Sequence, residues 1–329
     1  MCTVFQMKDK NLIGKNYDAF TKGGMIFTNK RGIKKSALIM PPSKPLMWKS
    51  VYGSITFSQN GKEMPISGMN EEGLVVEQAT LPECEYRENN QNQPLVGCLE
   101  MIQYILDTCS NLEEALDAFE VCLIEKNAWP IHFMIGDHEG KMAIVEFLQG
   151  KMKIFREGLD KRIITNSPYE VSCQSLERDE LERDEYSKED AYKKNSIERF
   201  KIGSQLLEQS NAGDVQTAFE ILNQVKREDT QWQIVSDTKA KCLYFKGKES
   251  ASIRSLSLAE IDFSKEAQSM QLDFIKTEKT ELEPFSFEDN RRLIEEFYNN
   301  EQIKSIMHIP DANMIINFIA GQAEKYENQ

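Results

Sequence analysis

The sequence has few of the residues that metal and disulfide sites require. It contains three histidines among 329 residues, and His132 and His138 stand six positions apart in a strand-and-turn pattern that lacks a metal-ligand spacing. The seven cysteines are an odd number, and no two of them form a CxxC pair. These absences argue against a thiolate zinc site and against a disulfide framework. We expect structural histidines, no metal and no organic cofactor.

Long apolar runs are also missing. No stretch of about 18 consecutive apolar residues, the length needed to cross a bilayer, is present. The first eight residues, MCTVFQMK, lack the basic and apolar regions of a secretory signal. The sequence therefore predicts a cytoplasmic protein without membrane insertion.

Positive charge is in short supply. Lys and Arg number 40 against 53 Asp and Glu, so the formal net charge is −13. A chain of this charge repels a phosphate backbone, which excludes nucleic acid as an expected partner. Apolar residues make up 40% of the chain, and Gly and Pro number 17 and 10. That composition is typical of a globular protein with a sizeable core.

Several segments have the composition and spacing of β-strands. Residues 51–57 and 74–78 are rich in β-branched and aromatic residues, and Gly or Asn bounds them. Residues 131–155 predict an antiparallel meander, because turn signals interrupt their apolar pattern. Residues 232–245 predict a hairpin that turns at 237–239.

Helical periodicity dominates elsewhere. Within residues 96–124, one face carries an apolar stripe, and Ser110 followed by Glu113 forms a capping box that predicts a helix start. Asp214 predicts the cap of another helix. The stripe of the first region consists of Leu112, Ala115, Leu116 and Phe119.

The order of these segments predicts an α+β fold in which two antiparallel sheets pack face to face with helices outside. We expect one catalytic domain over residues 2–271 and a helical C-terminal extension over residues 272–329. The extension could cap the sheet or mediate association into a homo-oligomer. The densely charged residues 175–195 predict a solvated helix face or loop.

Cys2 follows Met1 directly. Loss of Met1 would expose both the thiol and an α-amine, and a free α-amine titrates near pH ~7.7 to 8.0. Such an amine can accept the proton of its own thiol, so no histidine base is needed. Position alone is weak evidence, because the same processing exposes any small second residue.

Five segments, read together, resemble the choloylglycine hydrolase and penicillin V acylase family in order and approximate spacing. The resemblance runs from Cys2 to about residue 265 and does not cover the helical tail. The glycine-bounded segment at 68–74 and the pair Cys2 and Asp18 are its most specific parts. The segments are Cys2-Thr3, Gly14-Lys15-Asn16-Tyr17-Asp18, Gly68 to Leu74, Thr165-Asn166-Ser167-Pro168 and Asn195 to Phe200.

The resemblance implies the four-layer αββα sandwich of N-terminal nucleophile hydrolases. It also implies hydrolysis of a linear, non-peptide C–N amide through a Cys2 thioester. The expected substrate is a small-molecule N-acyl amide, such as penicillin V, an N-acyl homoserine lactone or a conjugated bile salt. Two alternatives stay open: an acyltransferase that uses the same thioester, and a non-catalytic binding protein of the same fold.

By the same resemblance, four residues take the principal roles. Cys2 is the nucleophile, and Asp18 hydrogen-bonds the new amino terminus. The side-chain amide of Asn166 donates to the oxyanion, and Arg199 stabilises the developing anion or orients the substrate. Read without the family, Asp18 and Asn166 are turn residues and Arg199 is a solvent-facing helix residue.

Three further assignments concern the surroundings of the nucleophile. The backbone N–H of Thr80 corresponds approximately to the family's second oxyanion donor, and Asn70 either shapes a turn or touches substrate. Lys15 stands where bile salt hydrolases carry Arg, and an ammonium cannot make the forked contact of a guanidinium. Residues 78–81 also lack the Leu-Asn of bile salt hydrolases, so we expect aliphatic or aryloxyacyl amides rather than bile salts. A cation at Lys15 favours the thiolate of Cys2.

Overall fold

The computed structural model describes residues 1–7, 10–89, 92–156, 158–177, 188–210, 213–307, 309 and 311–329. Of the charged segment predicted to be solvated, residues 178–187 lie outside the described part of the chain. Residues 188–195 form the start of a helix.

The strands are, in chain order, β1 (Cys2–Met7), β2 (Leu12–Asp18), β3 (Met25–Asn29), β4 (Lys34–Ser36), β5 (Met47–Lys49), β6 (Ser54–Ser58), β7 (Ser67–Asn70), β8 (Val75–Thr80), β9 (Leu95–Val96), β10 (Leu123–Ile124), β11 (Ile131–Gly136), β12 (Met142–Leu148), β13 (Lys151–Phe155), β14 (Ile163–Ile164), β15 (Thr230–Asp237), β16 (Cys242–Gly247), β17 (Arg254–Ser257), β18 (Met270–Leu272) and β19 (Glu283–Pro284). The helices are α1 (Cys98–Thr108), α2 (Leu112–Val121), α3 (Tyr169–Gln174), α4 (Lys188–Gln209), α5 (Val215–Gln224), α6 (Phe287–Tyr298), α7 (Glu301–Met307) and α8 (Ala312–Glu327). Within the described ranges, none of these helices is long and apolar enough to cross a membrane.

Two large sheets form the centre of the fold, and every strand pair within them is antiparallel. The first has six strands in the order β14-β1-β2-β15-β16-β17, and the second has nine in the order β13-β12-β11-β8-β7-β6-β3-β18-β19. Their inner faces pack together: the rings of Phe57 on β6 and Phe245 on β16 meet edge to face at 5.8 Å. Helices α4 and α5 cover the outer face of the six-stranded sheet, and α1 and α2 cover that of the nine-stranded sheet. The predicted four-layer αββα sandwich is confirmed.

The strands are apolar on both faces because both faces are buried. On β8, Val75 joins the core between the sheets, whereas Val76 packs under the helices. On β11, Met134 likewise joins the core between the sheets, and Phe133 packs under the helices. Successive side chains of a strand point to opposite faces, so a strand between two apolar layers needs an unbroken apolar run.

The predicted apolar stripe of α2 is buried, but its N-terminal cap differs from the prediction. The N-cap is Asn111, whose side chain accepts a hydrogen bond from the backbone N–H of Glu114. The carboxylate of Glu114 in turn accepts from the N–H and hydroxyl of Ser110. The capping interaction therefore exists one residue later than the Ser110 and Glu113 pair that the sequence indicated, because Asn caps as well as Ser does.

The segment at 68–74 comprises the end of β7 and the hairpin turn that leads to β8. Asn70 Oδ1 accepts from the N–H groups of Glu72 and Leu74, and its Nδ2 donates to two carbonyl groups near the C-terminal end of α1. Gly73 has a φ of +82°, and a Cβ there would lie 2.3 Å from the carbonyl oxygen of Thr238. Glycine is required by both conformation and space.

The C-terminal region continues the sheet before it becomes helical. Strand β18 pairs with β3, so the predicted boundary after residue 271 falls inside a strand of the nine-stranded sheet. Helix α6 then packs on the outer face of that sheet, where Leu293 contacts Met25 and Phe27.

A buried ion pair joins the two sheets. Nζ of Lys15 on β2 lies 2.9 Å from Oε2 of Glu77 on β8, and neither side chain is more than 1% exposed. The ammonium also donates to the carbonyl of Ile66 at 2.6 Å, and the hydroxyl of Ser67 donates to Oε1 of Glu77 at 2.5 Å. Each buried charge therefore has an opposite charge and a further hydrogen bond, which offset much of the cost of desolvation.

Removing one member of this pair should destabilise the fold. Lys15→Ala leaves the Glu77 carboxylate buried without its cation, so the free energy of unfolding should fall by about 3 to 5 kcal/mol. Lys15→Met combined with Glu77→Gln removes both charges and should lose much less. Urea denaturation of the parent, the single variant and the double variant measures the two losses in the free energy of unfolding. Equal stability of the single and double variants would contradict this account.

Candidate active site

The register of the first two strands brings Cys2 beside Asp18. Cys2 lies opposite Tyr17, and Asp18 follows at the end of β2, opposite Thr230 of β15. The N–H of Asp18 donates to the carbonyl of Met1, and the Met1 ammonium donates to the carbonyl of Asp18, both at 3.0 Å. The ladder thus extends one residue beyond β1 and holds the peptide between Met1 and Cys2.

Asn166 lies beside Cys2 on the other side of β1, after β14. Its Oδ1 accepts from the backbone N–H of Cys2 at 3.1 Å and from Nη2 of Arg199 at 2.8 Å. Because two N–H donors meet this oxygen, the orientation of the amide is determined, and Nδ2 donates to the carbonyl of Thr80 at 2.8 Å. One of its two N–H bonds is engaged in this way, and the amide has a second one to donate.

Arg199 on α4 is buried, with 4% of its surface exposed, rather than facing solvent. Its Nη1 donates to the carbonyl of Cys2 at 2.7 Å and to the hydroxyl of Thr3 at 2.6 Å. Its Nη2 contacts Asn166, and its Nε donates to Asn195. Burial lowers the pKa of the guanidinium, while Asp18 raises it. Arg199 therefore orients Asn166 and the backbone of Cys2.

Asp18 has one satisfied and one unsatisfied carboxylate oxygen. Oδ1 accepts from the hydroxyl of Thr230 at 2.6 Å. Among the described residues, no donor forms a hydrogen bond with the buried Oδ2, and Nε of Arg227 lies 3.8 Å away. Burial raises the pKa of this carboxyl, and the charges of the N-terminal ammonium and Arg199 lower it. An unsatisfied buried acceptor is costly, so Oδ2 is well suited to receive an N–H donor.

The thiol of Cys2 is almost completely buried, with 1% of the residue exposed. Burial raises its pKa, whereas the N-terminal ammonium and Lys15 lower it. Lys15 was predicted to lie beside the nucleophile, and its ammonium contacts Glu77 and the carbonyl of Ile66 rather than the cavity. Since burial is the largest effect, the thiol needs a nearby base to form a thiolate at neutral pH.

The two remaining predicted site residues, Thr80 and Asn70, lie in different parts of the structure. Thr80 lies in the wall of the cavity beside Cys2, and its hydroxyl accepts from Nε1 of Trp129 at 3.3 Å. Asn70 lies in the β7–β8 turn against α1, with its side-chain amide bound to backbone groups. Of the two roles considered for Asn70, its contacts are those of a turn residue.

Several supporting residues had no predicted role. The hydroxyl of Ser196 accepts from the N–H of Asn166 at 2.9 Å, and the hydroxyls of Thr165 and Ser167 lie at the same distance from it. Behind them, Nε2 of His132 contacts the carbonyl of Thr165 at 3.0 Å and must carry a proton, because a carbonyl only accepts. Ser196 lies within the segment 195–200, so the sequence contained a signal for it.

A cavity of about 890 Å³ opens beside Cys2. Cys2, Asp18 and Thr80 lie in its wall, and most of the other lining side chains are apolar. Within the described ranges, no group of three or more His, Cys, Asp or Glu residues could hold a metal ion. Five of the lining residues come from the C-terminal helices α6 and α7: Phe297, Tyr298, Ile303, Ile306 and Met307. Nothing in the sequence indicated that this tail reaches the nucleophile.

Comparisons with known proteins identify a family and a relative that this chain resembles. The family model of linear amide C–N hydrolases, choloylglycine hydrolase family, matches residues 2–208. Penicillin V acylase of Pectobacterium atrosepticum is 28% identical over 138 residues, which are 37% of this chain and 36% of that protein. The chain thus spans about a third of the length of the curated relative that it matches.

Two solved structures share the fold. Penicillin V acylase from Agrobacterium tumefaciens aligns with a TM-score of 0.70 at 20% identity, covering 87% of this chain and 98% of that one. A mutant of conjugated bile acid hydrolase from Clostridium perfringens aligns with a TM-score of 0.64 at 18% identity, covering 87% and 97%. At these identities the likeness shows the fold alone, the sandwich of two antiparallel sheets between helical layers.

The raised pKa of the Cys2 thiol has a measurable consequence. In protein that retains Met1, alkylation of Cys2 by iodoacetamide should rise with pH along a curve displaced to higher pH than that of N-acetylcysteine in the same solution. Replacing Lys15 by Met together with Glu77→Gln should displace the curve further, because Lys15 lowers this pKa. Peptide mass spectrometry follows the modification. Identical curves for parent and double variant would remove Lys15 from the electrostatics of the thiol.

Proposed function

The chain belongs to the choloylglycine hydrolase family of linear amide C–N hydrolases, and we propose that it hydrolyses a small-molecule N-acyl amide through a thioester on Cys2. One observation carries the proposal. Cys2 begins a central strand at the wall of a largely apolar cavity, and Asn166 binds its backbone nitrogen while Asp18 presents an unsatisfied oxygen nearby.

Removal of Met1 is the first step of the proposed mechanism. It converts the backbone nitrogen of Cys2 into an α-amine, which retains the acceptor Asn166 Oδ1 at its present distance of 3.1 Å. Asp18 is positioned to accept from the same amine, because its backbone already bonds to both backbone groups of Met1 and its Oδ2 accepts no hydrogen bond from the described residues. A free α-amine titrates near neutral pH, so it can act as the base that the buried thiol requires.

Acylation then follows from the positions of these groups. The thiol proton passes to the α-amine, and Sγ of Cys2 attacks the carbonyl carbon of the amide. The N–H of Asn166 that is not bound to Thr80 can donate to the oxyanion, a contribution typically worth roughly 2.7 to 4 kcal/mol. When the C–N bond breaks, the α-ammonium returns its proton to the leaving amine, and a thioester remains on Cys2.

Deacylation uses the same groups in the same order. The α-amine takes a proton from water as the water oxygen attacks the thioester carbonyl, and Asn166 again donates to the oxyanion. Collapse breaks the C–S bond, the proton returns to sulfur, and the carboxylic acid leaves. Arg199 serves as a positioning residue, because its contacts orient the acceptor oxygen of Asn166 and the carbonyl of Cys2.

The mechanism requires a free α-amine on Cys2, so active protein should lack Met1 by intact mass. Cys2→Ala should lower hydrolysis of any amide that the parent cleaves to the background rate, because no other nucleophile is provided. The free energy of unfolding, measured in urea, should change little. Cys242→Ala is the matched control, since this cysteine lies on β16 outside the cavity. Full activity in protein that retains Met1 would remove the proposed base, and activity in Cys2→Ala would move the nucleophile elsewhere.

The apolar lining of the cavity favours aliphatic or aryloxyacyl amides. Penicillin V or a fatty-acyl amide should be cleaved with a higher kcat/KM than glycocholate. Liquid chromatography of the acid and amine products measures both rates, and adding a second amine shows whether acyl transfer competes with hydrolysis. A clear preference for glycocholate would overturn this expectation.

A further inference from the structure

We propose that the C-terminal helices α6 and α7 form the wall that binds the acyl group, and that this group is a long alkyl chain or an aromatic ring. The inference rests on the proposed function, because it assigns the acyl side of the same site. Phe297 and Tyr298 from α6 and Ile303, Ile306 and Met307 from α7 all line the cavity that contains Cys2.

The wall lies close to the nucleophile. Tyr298, the last residue of α6, is 6% exposed and lines the same cavity as Tyr17. Tyr17 is the direct cross-strand partner of Cys2. An acyl group bound to the sulfur of Cys2 therefore meets side chains of the tail within the same cavity.

The polarity of the lining distinguishes two parts of the cavity. Asp18, Arg227 and Asp229 form one charged group, in which Nε of Arg227 lies 2.8 Å from Asp229 and 3.8 Å from Asp18. The tail contributes an apolar part that includes Ile303 and Met307. An apolar acyl group gains by leaving water against the apolar part. The more polar amine portion of the substrate is then directed to the charged group.

The rim of the cavity is apolar as well. Phe20, which follows β2, is 57% exposed, and Ile306 on α7 is 46% exposed, and both line the opening. Exposed apolar side chains that surround a cavity commonly mark a ligand-binding groove. These exposed side chains continue the apolar lining to the protein surface, which suits a long alkyl chain.

Buried polar contacts hold the tail against the domain. Glu327 on α8 lies 3.0 Å from Nζ of Lys62, and the backbone N–H of Lys62 donates to Asn290 on α6 at 2.9 Å. Gln322 and Tyr326 on α8 both bond to the carbonyl of Ser36, at 2.6 and 2.8 Å. Because these contacts fix α8 and α6 on the domain, the wall is a built part of the site.

The wall also lies outside the part of the chain that the family model matches, which ends at residue 208. The residues that perform the proposed chemistry all precede it: Cys2, Asp18, Asn166 and Arg199. The wall and the residues that perform the proposed chemistry thus lie in separate segments of the chain.

A binding measurement tests the wall without requiring turnover. In a Cys2→Ala background, isothermal titration calorimetry compares decanoate with butyrate. Ile306→Trp and Met307→Trp extend a large ring from the wall, so each should lower the ratio of decanoate to butyrate affinity at least tenfold. Met314→Trp is the matched control, because Met314 on α8 is a 45% exposed apolar residue of the same tail that does not line the cavity. Its ratio should stay within twofold of the parent.

Turnover measured in parallel separates the two proposals. With Cys2 intact, decanoyl and butyryl p-nitroanilides should show the same shift in the ratio of kcat/KM for the two wall variants. Unchanged ratios in both wall variants, or no binding of decanoate, would refute the proposal that α6 and α7 bind the acyl group. A shift in binding without hydrolysis of any amide would leave the wall standing and refute the proposed function.

Discussion

The position of β1 as an interior strand is the constraint on which the site depends. Strands β2 and β14 flank it in antiparallel register, so the second residue of the chain is held at a defined place between two sheets. Each neighbour then supplies one group: β2 ends in Asp18, and β14 leads into Asn166. Arg199 approaches from the helical layer behind. A flexible terminus would lose its orientation at each of these contacts, whereas the backbone hydrogen bonds of β1 keep the geometry fixed.

Two buried cations flank this strand pair and differ in what they contact. Lys15 faces the neighbouring sheet and pairs with the carboxylate of Glu77, so it mainly joins two layers. Arg199 faces the helices and donates to neutral oxygens of Cys2, Thr3 and Asn166. Asp18 lies near the positive charge of the N-terminus, and its Oδ2 accepts no hydrogen bond from the described residues. Each of these charged groups therefore acts mainly on the atoms with which it is in contact.

The sequence predicted the layers and the grouping of the principal site residues, and its failures have physical reasons. Apolar periodicity identified the buried face of α2, because that face is decided locally by residues three and four apart. The same periodicity says nothing about what a face packs against, so the contribution of α6 and α7 to the cavity could not be foreseen. The partner of Lys15 lies 62 positions away on another sheet, and only the folded register brings Glu77 to it. Asn166, by contrast, stands in a short motif whose residues act together.

The hydrogen bonds of Met1 have a consequence for the order of events during biosynthesis. Both the ammonium and the carbonyl of Met1 are bonded to the backbone of Asp18, so the peptide bond that the proposed mechanism requires to be cut is already part of a β-ladder. An aminopeptidase acting from outside needs an extended, unpaired terminus. Cleavage by such an enzyme must therefore occur while the nascent chain is still unfolded. Removal of Met1 then competes in time with the pairing of β1 in the sheet. In a molecule whose β1 pairs first, Met1 can be removed only after this strand end opens again.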